Sequence, residues 1–319
     1  MALVTSPDIL PEAMRFLVRT VLRQPDRRCD RADLLALVAP EGLADVMKRP
    51  DRDATSESSG ENAAASGNKI ARDSLAAAQT LGLLAPDGPW IAPTDTTLTR
   101  WADAVQVSAP SFSRALRHQL WSTAVNTDAA PHDDRVADLV DGLAVLFAAP
   151  EPLRVFEFET GNGRRFNKAQ TVWFGPDKAN WPVTNLTQFR PFVRWAGYLG
   201  YAQLVDTYAV IADASAAIID DLEALPADRY RLTEFIEHCA TVLPILDEGP
   251  RSLWKPDDRR EVSPGLAVTL TQLEASGHLT IEPPESDRES MTIALAPTVP
   301  ARRVSHVKWH PRSTTKDHR

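Results

Sequence analysis

The stretch SLAAAQTLGLLAPDGPWI, from Ser74 to Ile91, joins an apolar run at helical spacing to a short strand pattern. Gly82 suits the end of the helix, because the residue there often needs a positive φ angle. Asp87 and Gly88 suit a tight turn between two strands. The stretch therefore predicts a helix that leads directly into a β-hairpin.

The same pattern occurs twice more along the chain. The second copy is FVRWAGYLGYAQLVDTYAVI, from Phe192 to Ile211, and the third is GLAVTLTQLEASGHLTIEPPESDRESMTIAL, from Gly265 to Leu295. In the third copy, strands at 278–282 and 290–295 are expected to form a hairpin across PPESDRE. A three-helix core that ends in a hairpin is the pattern of a winged helix-turn-helix. We predict a mainly α protein with small β-hairpins, arranged as tandem winged helix-turn-helix domains. The alternative is an ordinary helix-to-strand junction, which many other folds contain.

Helices predicted at 9–22, 31–39 and 69–81 complete the first set. The predicted domains are an N-terminal winged-helix domain at 1–100, a helical region with a second winged-helix-like domain at 101–212, a third such domain at 213–300, and a basic tail at 301–319. Residues 49–68, RPDRDATSESSGENAAASGN, contain almost no large apolar side chain. Such a segment buries too little surface to offset its ordering entropy, so we predict a mobile loop there.

A period-two pattern appears between Arg154 and Phe174, in RVFEFETGNGRRFNKAQTVWF. Val155 and Glu157 alternate with Phe156 and Phe158, and Asn162-Gly163 is a hairpin signal. We therefore predict a second type of hairpin in this region. The helix-prone end of the stretch leaves the limit of its second strand open.

Charge is distributed unevenly over the chain, whose formal net charge is −8. Residues 201–300 hold 7 basic and 18 acidic side chains, whereas residues 301–319 hold 6 basic and 1 acidic. DNA affinity comes largely from Lys and Arg that neutralise phosphates. The acidic segment is therefore expected to meet a protein partner or to keep the chain soluble. The tail is expected to be an arm that touches nucleic acid or a solvated end.

Ten basic residues are candidate nucleic-acid contacts. They are Arg15, Arg19, Arg23, Arg27 and Arg28 near the N-terminus, Lys69 and Arg72 on the third predicted helix, and Arg164, Arg165 and Lys168 at the predicted hairpin. The first group could follow a phosphate backbone, and the last combines cations with aromatic side chains. The alternatives are a solvated helix face for the first two groups and a plain hairpin tip for the third.

Signatures of catalysis are missing from the sequence. It has no GxxxxGK[ST], complete GxGxxG, HExxH or GxSxG pattern, and Cys29 and Cys239 lack metal-ligand spacing. We therefore expect no enzyme activity, no cofactor and no metal. No run approaches the ~18 apolar residues that a transmembrane helix needs, so no membrane partner is expected. The acidic N-terminal stretch is unlike a secretory signal, and a cytoplasmic location is expected.

The segment RPFVRWAGYLGYA, with VIADASAAI after it, resembles winged-helix proteins of the DpdG type. Those proteins belong to bacterial islands that place 7-deazaguanine derivatives in DNA. The resemblance covers about a tenth of the chain, and it carries no catalytic residue to these positions. It implies an accessory component that works with a larger partner, such as a helicase or a nuclease.

These observations predict a non-enzymatic, multi-winged-helix subunit of a bacterial DNA-processing, DNA-modification or anti-phage defence complex. It would bind DNA weakly through its N-terminal arginines and dock proteins through its acidic half. One alternative is a winged-helix transcriptional regulator. Another is an acidic clamp subunit of a chromosome-organising ATPase complex.

Overall fold

A computed structural model of the chain describes most of its residues. The described ranges are 3–4, 6–38, 59–125, 136–157, 165–206, 209–254, 260–284, 290–296 and 298–311. They divide into two compact units, Met1–Leu120 and Trp121–Arg319. The predicted domain boundaries at 100, 212 and 300 stay predictions.

In the part of the first unit that the structure describes, three helices and a small sheet come first. Its elements are α1 (Pro11–Arg23), β1 (Cys29–Asp30), α2 (Arg31–Val38), α3 (Ser59–Thr80), β2 (Leu84–Asp87), β3 (Trp90–Pro93) and α4 (Asp95–Arg100), followed by a 3₁₀ turn (Ala104–Gln106) and by α5 (Ala109–Val125), which runs across the boundary between the units. The strands form an antiparallel sheet in the order β1-β3-β2. Helix α1 begins with Pro11, which suits a first helical turn, and it buries Met14, Leu17, Val18 and Val21.

The second unit contains the remaining elements. They are α6 (Ala137–Ala148), β4 (Phe156–Glu157), α7 (Arg165–Phe174), a 3₁₀ turn (Lys178–Asn180), α8 (Leu186–Tyr198), β5 (Ala202–Asp206), β6 (Ala209–Ala212), α9 (Ser215–Asp221), β7 (Arg229–Arg231), α10 (Leu232–Val242), α11 (Pro264–Ala275), β8 (Leu279–Glu282), β9 (Met291–Ile293), β10 (Arg302–Val304) and β11 (His306–Trp309). The strands form three antiparallel sheets, in the orders β4-β6-β5, β7-β11-β8 and β10-β9. The prediction of a mainly α chain with small β-hairpins is therefore confirmed.

Among the described residues, one order of elements occurs three times: helix, strand, two helices, strand, strand. Repeat 1 comprises α1 to β3, repeat 2 comprises α6 to β6, and repeat 3 comprises α9 to β11 with the β9–β10 hairpin inserted. In each repeat the last strand lies between the other two, as in β1-β3-β2, β4-β6-β5 and β7-β11-β8. The three sheets therefore share one connectivity as well as one sequence of elements.

Each third helix ends in the same way. Gly82, Gly200 and Gly277 lie two residues after α3, α8 and α11, with φ angles of +65°, +75° and +78°. The next residue donates a backbone hydrogen bond of 2.8–2.9 Å back into the helix, from Leu83 to Ala78, from Tyr201 to Ala196, and from His278 to Leu273. This is the C-terminal motif in which a glycine at positive φ lets the chain reverse. It confirms the helix-ending role predicted for the glycines.

A second backbone bond closes each repeat. The residue after the last strand donates to the carbonyl of the residue that follows the glycine: Thr94 to Leu83 (3.3 Å), Asp213 to Tyr201 (3.3 Å) and His310 to His278 (2.8 Å). Because β3, β6 and β11 all end at this bond, β11 occupies in repeat 3 the position that β3 and β6 occupy in the other repeats.

Helix α11 packs tightly within the second unit. A Cβ built on Gly265 would lie 2.4 Å from a ring carbon of Phe147 on α6, so only glycine fits at this contact. Thr269 accepts a hydrogen bond of 3.0 Å from the backbone of Ala214, before α9. Seven residues of α11 are buried. Repeats 2 and 3 therefore share part of their core.

The predicted loop at 49–68 is wrong from residue 59 onwards. Helix α3 begins at Ser59, and residues 49–58 lie outside the described residues. The sequence from 63 to 66 is AAAS, and alanine has the highest intrinsic helix propensity. Buried Ala71 and Leu75 anchor the later turns of the same helix. Residues 59–68 are therefore helical, although they have few large side chains, because they extend a helix whose later turns are buried.

The hairpin predicted between 154 and 174 is also wrong. Strand β4 pairs with β6, and the residues from Arg165 to Phe174 form helix α7. Asn162 and Gly163 lie outside the described residues. On α7 the buried side chains are Phe166, Ala169 and Gln170, at helical spacing. Gln170 exchanges two hydrogen bonds with the backbone of Val183, of 2.9 and 3.0 Å, which fixes this helix to the chain beyond it.

The third predicted hairpin has the wrong partners. Strand β8 pairs with β11, and β9 pairs with β10. The basic tail predicted at 301–319 is therefore wrong for 302–309, which form two strands, whereas residues 312–319 lie outside the described residues. Val307 and Trp309 alternate with exposed or half-buried residues and are fully buried. Burial of these two side chains stabilises the strand enough to offset the entropy that the segment loses on ordering, although its high charge is typical of a solvated end.

Candidate nucleic-acid interface

The arginines of α1 differ in how much of their charge is available. Arg15 forms a salt bridge of 2.6 Å with Glu12, and its side chain is 22% exposed. Arg19 is half-buried, and its Nε has no hydrogen-bond partner within the described residues. Arg23, at the end of the helix, is exposed and forms no ion pair in the described part of the chain. Arg23 is therefore the most available cation on this helix.

The next two arginines hold the loop between α1 and β1. Arg27 has a φ angle of +55° and donates a hydrogen bond of 3.1 Å to the carbonyl of Ala102. Arg28 lies 3.1 Å from Asp87, at the turn between β2 and β3. The Arg28 charge is therefore partly neutralised, although the side chain remains about half exposed.

On α3, Lys69 lies between two carboxylates. Its ammonium group bonds to Asp8 and lies 3.6 Å from Asp73. The hydrogen bond to Asp8 is the main reason that the pKa of Lys69 is raised. Arg72 is exposed and donates to the carbonyl of Asn68 on its own helix. Of the two predicted contacts on this helix, Arg72 is therefore the one that faces solvent without an ion pair in the described residues.

Arg165 binds the backbone of the loop between α6 and β4. Its guanidinium donates to the carbonyls of Pro150, Glu151 and Arg154, and it lies 4.3 Å from the centre of the Phe156 ring. Burial lowers the pKa of Arg165, and nearby Glu151 opposes that shift. Its donors are therefore directed into the protein. Of its predicted neighbours, Lys168 is exposed and Arg164 lies outside the described residues.

The third helices of the repeats offer unequal surfaces. Helix α3 exposes Asn68, Lys69 and Arg72, all of residue types that contact DNA. Helix α11 has no Lys or Arg, and its first half is buried almost completely. A helix covered in this way cannot enter a DNA groove. Of these two helices, only α3 exposes basic side chains.

The sheet of repeat 3 carries a basic surface that the sequence patterns did not predict. Arg229 and Arg231 on β7 are exposed, as is Lys308 on β11, whereas Tyr230 and Val307 between them are buried. The register places Arg229 opposite Lys308, and Arg231 opposite His306. The signal was the alternation in RYR and HVKW. It was hidden because the two strands are about 75 positions apart in sequence.

An apolar groove of about 750 Å³ opens in the second unit. Its walls include Val172, Trp173, Trp254, Val299 and Pro300. Val172 is 72% exposed and Val299 41% exposed, which is unusual for valine. The groove is therefore a surface on which a protein partner could bury apolar area.

The described residues contain no group of three or more His, Cys, Asp or Glu side chains placed to hold a metal ion. Burial raises the pKa of the Cys239 thiol, which keeps it protonated. Burial also raises the pKa of Asp247 to about 6, although that carboxylate accepts a hydrogen bond of 2.6 Å from the backbone of Ser263. Among the described helices, none combines the length and apolar character needed to cross a bilayer.

The comparison with family models gives a match to the DpdG-like family over residues 1–287. Strands β9, β10 and β11 lie beyond the matched residues. Neither the curated proteins nor the solved structures give a match. The two stretches on which the sequence resemblance was based form most of α8 with its glycine turn, and then most of β6 and the start of α9. Because the match covers most of its length, the chain belongs to the DpdG-like family, which associates it with DNA-modification systems.

Proposed function

We propose that this chain is a non-enzymatic winged-helix accessory subunit of a DNA-modification or defence complex. The observation that carries the proposal is one connectivity that recurs three times among the described residues. Each repeat has the order helix, strand, two helices, strand, strand, and its last strand lies in the middle of the sheet. Winged helices typically bind nucleic acid or dock other proteins. In this proposal each repeat is one winged helix.

Repeat 1 is the DNA-binding part in this proposal. Its third helix presents polar side chains, and Arg23, Arg31 and Arg72 are exposed without an ion pair in the described residues. Cations that are free of protein carboxylates can neutralise phosphates without first breaking an ion pair. Because these residues are few and the chain is acidic overall, affinity for DNA alone is expected to be weak.

The second unit is the docking part. The third helix of repeat 3 is buried, so its groove-reading surface is already used inside the protein. The apolar groove beside Val172 offers what a protein interface needs at its centre, namely exposed aliphatic and aromatic surface. A larger subunit of the same complex, such as a helicase or nuclease, is the proposed partner.

The test is the binding of the full chain to a labelled duplex, measured by fluorescence anisotropy over a range of salt concentrations. The double variant Arg23→Glu/Arg72→Glu should weaken binding at least tenfold, because it removes two phosphate contacts and adds two repulsive charges. The control is Lys178→Glu, which changes an exposed cation in the second unit.

Two results would contradict the proposal. A loss of binding free energy in the control that is half as large as in the double variant, or larger, would show that binding follows net charge alone, because the control reverses one charge and the double variant two. A preference of more than about a thousandfold for one DNA sequence would instead indicate a transcriptional regulator.

A further inference from the structure

The outer face of the β7-β11-β8 sheet is lined with basic side chains. Along each strand the apolar residues point inward and the polar residues outward, as the burial of Tyr230, Val307 and Ile281 shows. The register aligns the outward residues in two rows across the sheet. One row is Arg231, His306 and Glu282, and the other is Arg229, Lys308 and Thr280. His310 extends the face and contacts Thr280 at 3.0 Å.

This arrangement places like charges directly opposite each other. Arg229 on β7 faces Lys308 on β11, a pairing that destabilises a sheet. Glu282 offsets part of this cost, since it lies 2.7 Å from Arg229. Lys308 is exposed and forms no ion pair within the described residues. An anionic ligand would relieve the repulsion that remains on this face.

The chemistry of the face favours nucleic acid over protein. The large side chains of these strands, including Trp309 and Tyr230, are buried on the other side of the sheet. Protein interfaces depend on exposed aromatic and apolar anchors, which this face lacks. Interfaces with DNA are more polar and much more positively charged. Unpaired bases stack best on large, exposed aromatic rings, and this face offers only the half-buried imidazoles of His306 and His310. A duplex therefore suits it better than a single strand.

We propose that this sheet face binds the phosphodiester backbone of duplex DNA, independently of sequence. The proposal deepens the function proposed above and rests on DNA being a ligand of the chain. It adds a second DNA contact site to the one on repeat 1. Its residues come from the acidic segment 201–300 and from the segment 301–319, which was predicted to be a tail. In repeat 3 the sheet, and not the buried third helix, contacts DNA.

Three single variants of the full chain test this site in the salt-dependent duplex assay. Lys308→Gln should weaken binding about fivefold and reduce the slope of log affinity against log salt by about one. Glu282→Gln should strengthen binding about two- to threefold, because it removes the only carboxylate among the outward residues of these strands. Lys178→Gln, an exposed cation elsewhere in the same unit, should bind like the wild type.

The gain in Glu282→Gln separates a binding role from a folding role, because a destabilised sheet would lose affinity in both variants. Unchanged affinity in Lys308→Gln and Glu282→Gln, with loss in Arg23→Glu/Arg72→Glu, would overturn this site and leave the proposed function intact. Tighter binding of a single strand than of the duplex would contradict the duplex assignment. Binding of poly-glutamate, but not of duplex DNA, with the same pattern of variants would show a protein ligand and overturn both proposals.

Discussion

At the scale of single residues, Gly277 is the position at which the free-energy cost of a positive φ angle can be measured without a steric clash. Its φ angle is +78°, and a Cβ built there would meet nothing within 4 Å. Gly277→Ala should therefore lower the free energy of unfolding by about 1–2 kcal/mol through backbone strain alone. Gly277→Asn should cost less, because asparagine tolerates this conformation better. Urea denaturation gives the comparison, and equal stability of the alanine variant and the wild type would contradict the assigned backbone conformation.

Asp247 makes stability depend on pH. An exposed carboxyl titrates near 3.8, whereas burial raises the pKa of Asp247 to about 6. Between these values the folded chain binds more protons than the unfolded chain, so stability falls as pH rises from about 4 to about 6. Asp247→Asn carries no charge at any pH and should lack this decline. Relative to the variant, the wild type should lose on the order of 1–3 kcal/mol between pH 4 and pH 7.5.

The matched control for this experiment is Asp73→Asn, which changes a carboxyl for which burial is incomplete. Unfolding free energies measured by urea at both pH values provide the readout. If wild type and Asp247→Asn show the same pH profile, the carboxyl of Asp247 has the same pKa in the folded and the unfolded chain, which would contradict its burial.

At the scale of elements, local patterns predicted the helices better than the strands. The glycines that end α3, α8 and α11 were identifiable because each lies next to an apolar run. The partners of the strands were not, because β11 pairs with β7 and β8 across loops that no local signal specifies. The charge of the last segment predicted a solvated end. Residues 302–309 form strands instead, because Val307 and Trp309 are buried.

Strand β11 predicts the effect of shortening the chain. A chain that ends at Pro300 lacks β10 and the central strand of the β7-β11-β8 sheet. It should melt at a lower temperature and expose apolar surface, because β7 and β8 then have no strand between them. A chain that ends at Pro311 keeps both strands and should melt like the full protein. Equal melting of the two shortened chains by circular dichroism would contradict the position of β11.

At the scale of the whole molecule, regional net charge predicted the candidate site poorly. Residues 201–300 hold 18 acidic and 7 basic side chains, which argued against DNA contact there. The fold gathers Arg229 and Arg231 from that region beside Lys308 from outside it. Conversely, Lys69 and Arg165 were predicted contacts, yet carboxylates and backbone carbonyls occupy them. Tertiary packing decides which Lys and Arg side chains are available to bind phosphate, and the spacing of these residues in the sequence does not show it.

Amide hydrogen exchange of the full chain tests the repeat architecture most directly, because repeat 3 and its basic face both depend on β11. The account predicts that the amides of 306–309 exchange as slowly as those of 209–212, the equivalent central strand of repeat 2. Exchange of 306–309 within seconds, at the rate of an unstructured peptide, would contradict the third repeat and remove the sheet face that it builds.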